Sequence, residues 1–109
     1  MEVALQAHVK SGRAYPGISM RAPAKPLTCK DGFVVSVQAS SAHYSSPRDD
    51  GGPYHCFELG YPSAADDLIS EYAENAEKPT DTVYGYVPLA VVLALLEKHG
   101  GVPAFEVPA

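Results

Sequence analysis

Apolar and polar side chains alternate in four separate stretches of this chain. The segment EVALQAHVK at 2–10 places an apolar residue at every second position, which predicts a first strand with one buried face. The segments FVVSVQAS at 33–40 and YHCFELGY at 54–61 alternate in the same way, and they predict two antiparallel partners of a hairpin. TVYGYV at 82–87 predicts a fourth strand.

Two other stretches carry helical signals. Ser63 precedes AADDLISEYAENAE, and Asp66 follows three residues later, a pattern that resembles a capping box. We therefore expect a helix to begin after Ser63. Pro88 suits the first turn of a second helix, PLAVVLALLEKHGG, which should end at its glycine pair.

These elements predict an α+β fold, an antiparallel sheet of about four strands with two helices packed on it. The length of 109 residues predicts a single domain over 1–109. Three prolines in 11–30 indicate an irregular proline-rich arm, and 102–109 would form a C-terminal tail. Val91 and Leu95 widen the apolar arc of the second helix beyond one contact face, which favours a homo-oligomer. Burial under the arm or the tail is the alternative.

The composition is that of an ordinary folded domain, with 46% hydrophobic and 19% charged residues. The longest apolar run, 87–96, is about half of what a membrane-spanning helix needs. An acid at position 2 argues against a leader peptide, so we expect a cytoplasmic protein with no membrane partner. Cys29 and Cys56 then predict two reduced thiols.

The long connection between the second and third predicted strands holds most of the recognition chemistry. Arg48 offers a planar fork of donors suited to phosphate, Tyr44 a stacking surface, and His43 and Ser46 further hydrogen bonds. Connections of this length are typical of binding loops. We expect a phosphate-bearing ligand here, with Arg21 as a second anion contact. The alternative is a loop of plain turns in which Arg48 pairs with a neighbouring aspartate.

The sequence gives little support for catalysis or for a bound metal. His43, His55 and Cys56 are the candidate metal ligands in this region, and they lack a paired metal-binding spacing. The chain has no nucleophile-elbow motif and no glycine pattern for phosphates or dinucleotides. We expect no cofactor, no metal and no enzymatic activity.

Charge is divided unevenly along the chain. Residues 1–48 hold six basic and two acidic residues, whereas 49–109 hold two basic and eleven acidic ones. On the first predicted helix, Asp67, Glu71 and Glu74 follow an i, i+4, i+7 spacing and would form an acidic stripe. Such a stripe would suit a basic surface on a target protein and disfavours direct nucleic-acid binding, and a plain solvated face is the alternative.

Three stretches of the chain carry a family resemblance. SVQASSAHYSSPR, FELGYPS and PTDTVYGYVPLAVVLALLEKHGG cover most of residues 36–101. With their His-Tyr-x-x-Pro-Arg and Val-Tyr-Gly-Tyr-Val-Pro segments, they resemble small uncharacterised accessory proteins of tailed bacteriophages and prophages. The resemblance implies a phage source, and therefore the host cytoplasm, and a counter-defence role. That role would be either a sponge that sequesters a nucleotide immune signal or an anti-CRISPR-like inhibitor of a host complex.

Overall fold

A computed structural model describes residues 1–11 and 24–106. Its sheet is antiparallel with strand order β1-β2-β3-β4, and two α-helices accompany it, which confirms the α+β prediction. The elements are α1 (Glu2–Val9), β1 (Leu27–Thr28), β2 (Val34–Gln38), β3 (Cys56–Gly60), β4 (Val83–Pro88) and α2 (Leu89–Lys98). Short 3-10 turns cover Ser70–Tyr72 and Pro103–Phe105.

The predicted hairpin and the predicted second helix are confirmed, and together they build the core. Val37 of β2 lies opposite Leu59 of β3 in an antiparallel register, and both are fully buried. Helix α2 begins directly after β4 and packs against β3 and β4. Leu95 is fully buried and Val91 packs against the same core. Because Leu95 belongs to the core and Val91 packs against it, the wide apolar arc of α2 does not by itself indicate a homo-oligomer.

The first predicted strand is wrong, because residues 2–9 form α1. Leu5 and Val9, four residues apart, are its buried side chains, whereas Val3 is 84% exposed. Burial with a spacing of four belongs to a helix and not to a strand. The alternation was misleading because Gln6 and His8, read as solvent-facing, make hydrogen bonds to distant parts of the chain.

The helix predicted after Ser63 is also wrong. Ser63 does not cap a helix, since its hydroxyl accepts the Val34 N–H at 2.9 Å. Farther along, Ala73 forms a bridge with Tyr84, and the Glu74 N–H donates to the Val83 carbonyl at 2.9 Å. These tertiary bonds hold the segment partly extended, and they override its local helical preference.

Part of the proline-rich arm and the end of the tail lie outside the described residues, and Arg21 is among them. Within 24–30 the chain forms β1, so the arm is not irregular throughout. In the described part of the tail, Val102 is buried in the core. No helix among residues 1–11 and 24–106 is both long and apolar enough to cross a membrane.

Candidate functional site

The loop between β2 and β3 is held by its own aspartates. One oxygen of Asp49 accepts the N–H groups of Gly51 and Gly52, both at 3.0 Å. Asp50 accepts the N–H of Ser41 at 3.0 Å and also its hydroxyl. The turns predicted from this stretch are therefore present, and these two carboxylates hold backbone.

A side chain from the N-terminal helix fixes the end of the loop. The Gln6 amide donates to the Tyr54 carbonyl at 2.8 Å and accepts the Tyr54 N–H at 2.9 Å. The buried Tyr54 hydroxyl donates to the Asp49 carbonyl at 2.8 Å. An added Cβ at Gly52, where φ is +67°, would lie 2.9 Å from the Tyr54 ring. Side-chain amide and ring packing thus preorganise the loop before any ligand arrives.

An irregularity in β4 brings a second tyrosine to the loop. The regular register pairs Phe57 with Val87 and then Leu59 with Tyr84, so two residues of β4 face one of β3. Tyr86, within this bulge, has φ of +53°, the left-handed region that is uncommon for a bulky residue. Its N–H leaves the ladder and donates to the Tyr44 carbonyl at 3.0 Å.

Tyr44, Tyr86 and Arg48 form an accessible aromatic and cationic patch, which we call the tyrosine surface. The two rings lie with centroids 5.9 Å apart, and the side chains of Tyr44 and Tyr86 are 43% and 49% exposed. The Arg48 guanidinium carbon lies 5.4 Å from the Tyr44 ring centroid, within cation–π range. Such a patch combines a face for stacking with a positive charge.

Arg48 is not neutralised by a neighbouring aspartate in the part of the chain that the structure describes. The ion pairs there join Asp31, Asp66, Lys98 and His99. Glu58, the carboxylate that borders the tyrosine surface, accepts the Tyr44 N–H at 2.7 Å. The alternative in which Arg48 pairs locally with an aspartate is therefore not observed.

The other predicted ligand contacts lie in the same loop. The His43 ring shares a hydrogen bond through Nδ1 with the Ser40 hydroxyl at 2.6 Å, which leaves Nε2 as its second polar atom. Ser46 forms a backbone bridge with Cys56. The structure thus brings Tyr44 and Arg48 into contact and places His43 and Ser46 on neighbouring backbone, whereas Arg21 lies outside the described residues.

A second group of polar side chains, which we call the carboxylate–histidine cluster, lies at the end of α2. His99 Nδ1 is 2.7 Å from Asp31 and Nε2 is 2.8 Å from Asp66, so one imidazole bridges two carboxylates. The ring stacks on Phe33 with centroids 3.9 Å apart, and Lys98 lies 3.1 Å from Asp66. The cluster ties the turn after β1, the segment before the Ser70–Tyr72 turn and the end of α2 to one another.

Electrostatics in this cluster favour the charged forms. Burial alone lowers the pKa of His99, but hydrogen bonds and charges from Asp31 and Asp66 outweigh it and raise the pKa above 6.5. Burial raises the pKa of Asp66, yet the Leu68 N–H, His99 and Lys98 together hold it below 3.8. The Phe33 N–H, followed by His99, lowers the pKa of Asp31.

Neither cysteine is in a disulfide, which agrees with two reduced thiols. Burial, with a contribution from Asp31, raises the pKa of the Cys29 thiol, so little thiolate forms near pH 7. Among the described residues, no group of three His, Cys, Asp or Glu side chains is placed to hold a metal ion.

The predicted acidic stripe is wrong, because the helix that would carry it does not form. Asp67, Glu71 and Glu74 are all exposed, but they lie on turns and an extended segment and not along one helical face. Their charges remain accessible, without the regular spacing from which the stripe was predicted.

No protein-family model, curated protein or solved structure matches this chain. The resemblance to phage accessory proteins therefore stays a prediction.

The sequence pattern did not identify Tyr86 or the carboxylate–histidine cluster as candidate functional residues. A glycine inside the strand pattern Tyr-Gly-Tyr is a known sign of a bulge and pointed to Tyr86. The cluster joins residues up to 68 positions apart, as with Asp31 and His99, so no local spacing could have indicated it.

Proposed function

We propose that this protein is a non-enzymatic binding protein whose tyrosine surface takes a nucleotide-like ligand. The supporting observation is the contact of the Arg48 guanidinium with the exposed Tyr44 ring, 5.4 Å from its centroid, beside Tyr86. A base or similar flat ring would stack on the tyrosines, while Arg48 meets phosphate and His43 and Ser46 add hydrogen bonds. Arg21 remains a candidate second phosphate contact.

The biological setting of the proposal comes from the sequence resemblance. A phage protein that sequesters a nucleotide immune signal in the host cytoplasm would need affinity but no catalytic groups. A homo-oligomer, expected from the sequence, belongs to the same proposal.

Calorimetry with ADP, ADP-ribose and a cyclic dinucleotide tests this function. We expect at least one of the three to bind, and Arg48→Ala to weaken that binding about tenfold or more, because a charge-assisted hydrogen bond contributes about 1.5–3 kcal/mol. Arg48→Lys should restore part of it by keeping the charge without the planar fork. Tyr44→Ala should also weaken binding.

Two matched variants serve as controls for that experiment. Tyr61 is 60% exposed and Lys78 is exposed, and neither belongs to the tyrosine surface. Tyr61→Ala and Lys78→Ala should bind like the wild type. Absence of heat with all three nucleotides, or equal loss in Tyr44→Ala and Tyr61→Ala, would contradict the proposal.

The alternative function, an anti-CRISPR-like inhibitor of a host protein complex, depends on the exposed charges of Asp67, Glu71 and Glu74. Five acids in the 67–81 segment are exposed against the single base Lys78, which suits a basic protein surface. Reversing Glu71 and Glu74 to lysine should release a nucleic-acid-binding complex captured from host lysate, whereas Arg48→Ala should not.

A further inference from the structure

A groove of about 990 Å³ runs between α1, β1 and the chain that follows α2. Helix α1 contributes Ala4 and Ala7, β1 contributes Leu27, and the last described segment contributes Val102 and Phe105. Its lining is mainly carbon, and its volume lies at the upper end of the ~300–1,000 Å³ typical of small-molecule sites. The residues of the tyrosine surface do not line it, so the two sites are separate.

The walls of the groove are held together by the chain's own hydrogen bonds. The Lys30 N–H donates to the Gly101 carbonyl at 2.9 Å, and the Asp31 N–H donates to the His99 carbonyl at 3.1 Å. On the opposite wall, the His8 ring bonds the Lys25 carbonyl at 2.9 Å. A preformed groove costs little ordering when a ligand enters.

The charged residues along the groove have a net positive balance. Lys25 and Lys30 line it and are exposed, and Glu106 is the acid among its described lining. His8 adds a polar but mainly uncharged wall, because burial outweighs its backbone hydrogen bond and lowers its pKa. An apolar groove with two exposed lysines in its lining is complementary to a molecule with an aliphatic chain and an anionic end.

We propose that this groove binds an unbranched aliphatic carboxylate, with the chain against Ala4, Ala7 and Phe105 and the carboxylate at Lys25 and Lys30. The small side chains of α1 leave room for methylene groups, and the Phe105 ring gives them a flat apolar wall. This activity does not depend on the nucleotide site, and the two can be tested independently.

Titrations of the wild-type protein with hexanoate, octanoate and decanoate, below their micelle concentrations, test the apolar part. Each methylene buried should tighten binding by about fourfold, which corresponds to ~0.8 kcal/mol. Decanoate should bind more tightly than decyltrimethylammonium, which has a similar chain and the opposite charge. Affinity that does not rise with chain length, or equal affinity for the cation, would overturn the proposal.

Substitutions in the groove test its location. Ala7→Trp fills the groove and should weaken decanoate binding about tenfold or more, whereas Ala94→Trp on the exposed side of α2 should leave it unchanged. Replacing Lys25 and Lys30 together by glutamine should weaken decanoate but not decanol, with Lys78→Gln as the matched control. Decanoate binding that is equal in the wild type, Ala7→Trp and the double-glutamine variant would refute the site.

Arg48→Ala tests whether the groove and the tyrosine surface bind independently, and this variant should bind decanoate normally.

Discussion

The tyrosine surface and the carboxylate–histidine cluster use similar polar side chains in opposite ways. In the cluster, His99 and Lys98 are paired with the carboxylates of Asp31 and Asp66, and the Asp66 side chain is only 2% exposed. At the tyrosine surface, the carboxylates of the loop hold backbone N–H groups and Arg48 has no ion pair among the described residues. Charges that satisfy one another stabilise a fold, while a cation left beside an exposed ring is available to a ligand.

The largest expected loss of stability follows from a substitution in the carboxylate–histidine cluster. Asp66→Ala should lower the free energy of unfolding by about 3 kcal/mol, because Lys98 and the Leu68 N–H lose their partner and His99 loses one of its two carboxylates. Asp67→Ala, at an exposed neighbouring site, should change it by less than about 0.5 kcal/mol. Urea denaturation measures both, and equal effects would show that the two regions do not differ in the way described.

The next effect concerns the link between α1 and the loop. Gln6→Ala should cost about 1–2 kcal/mol of stability, because it removes both hydrogen bonds to Tyr54. Gln6→Glu keeps the acceptor for the Tyr54 N–H but turns a carboxylate oxygen toward the Tyr54 carbonyl, so it should not restore the stability. Hydrogen exchange at the Tyr54 amide should quicken in Gln6→Ala. An unchanged exchange rate would mean that the loop is held by other contacts.

The cluster also predicts a dependence of stability on pH. The contribution of His99 is fully present below its ordinary pKa of 6.5 and is lost as pH rises through its raised folded-state pKa. The contribution of Asp66 is present above 3.8 and is lost as pH falls through its lowered pKa. Stability should therefore be greatest between these limits, and His99→Gln should remove the alkaline decline that His99 causes. Denaturation curves between pH 3 and 9 at constant salt measure this.

The smallest effect on stability, with a large effect on binding, is expected at Tyr86. Asn tolerates the left-handed backbone conformation better than tyrosine, so Tyr86→Asn relieves strain while losing the contact with Tyr44. The two changes should nearly cancel, within about 0.5 kcal/mol. Nucleotide binding should nevertheless weaken, and a variant that binds normally would remove Tyr86 from the site.

The sequence predicted the parts of the fold whose own pattern agrees with their tertiary setting. The strands around Val37 and Leu59 alternate because one face of the sheet is buried, and α2 carries a continuous apolar stripe. The prediction of a strand in the α1 segment was wrong because Gln6 and His8 are polar but make long-range hydrogen bonds. The prediction of a helix over residues 63–77 was wrong because Asp66 and Ala73 are held by partners far along the chain.

The candidate site was predictable in its location but not in its construction. Arg48 and Tyr44 stand four positions apart in one loop, so their meeting followed from local sequence. The contribution of Tyr86 depends on a bulge, and the rigidity of the loop depends on Gln6, 48 residues before Tyr54. Contacts of that kind are decided by the tertiary fold.

The extended segment that replaces the expected helix has a consequence for self-association. Strand β4 is at the edge of the sheet, and a bare edge can recruit strands from other molecules. Ala73 bridges to Tyr84 and Glu74 bonds Val83, so part of that edge is already occupied from within the chain. Residues 73 and 74 thus block part of the β4 edge and disfavour edge-to-edge aggregation.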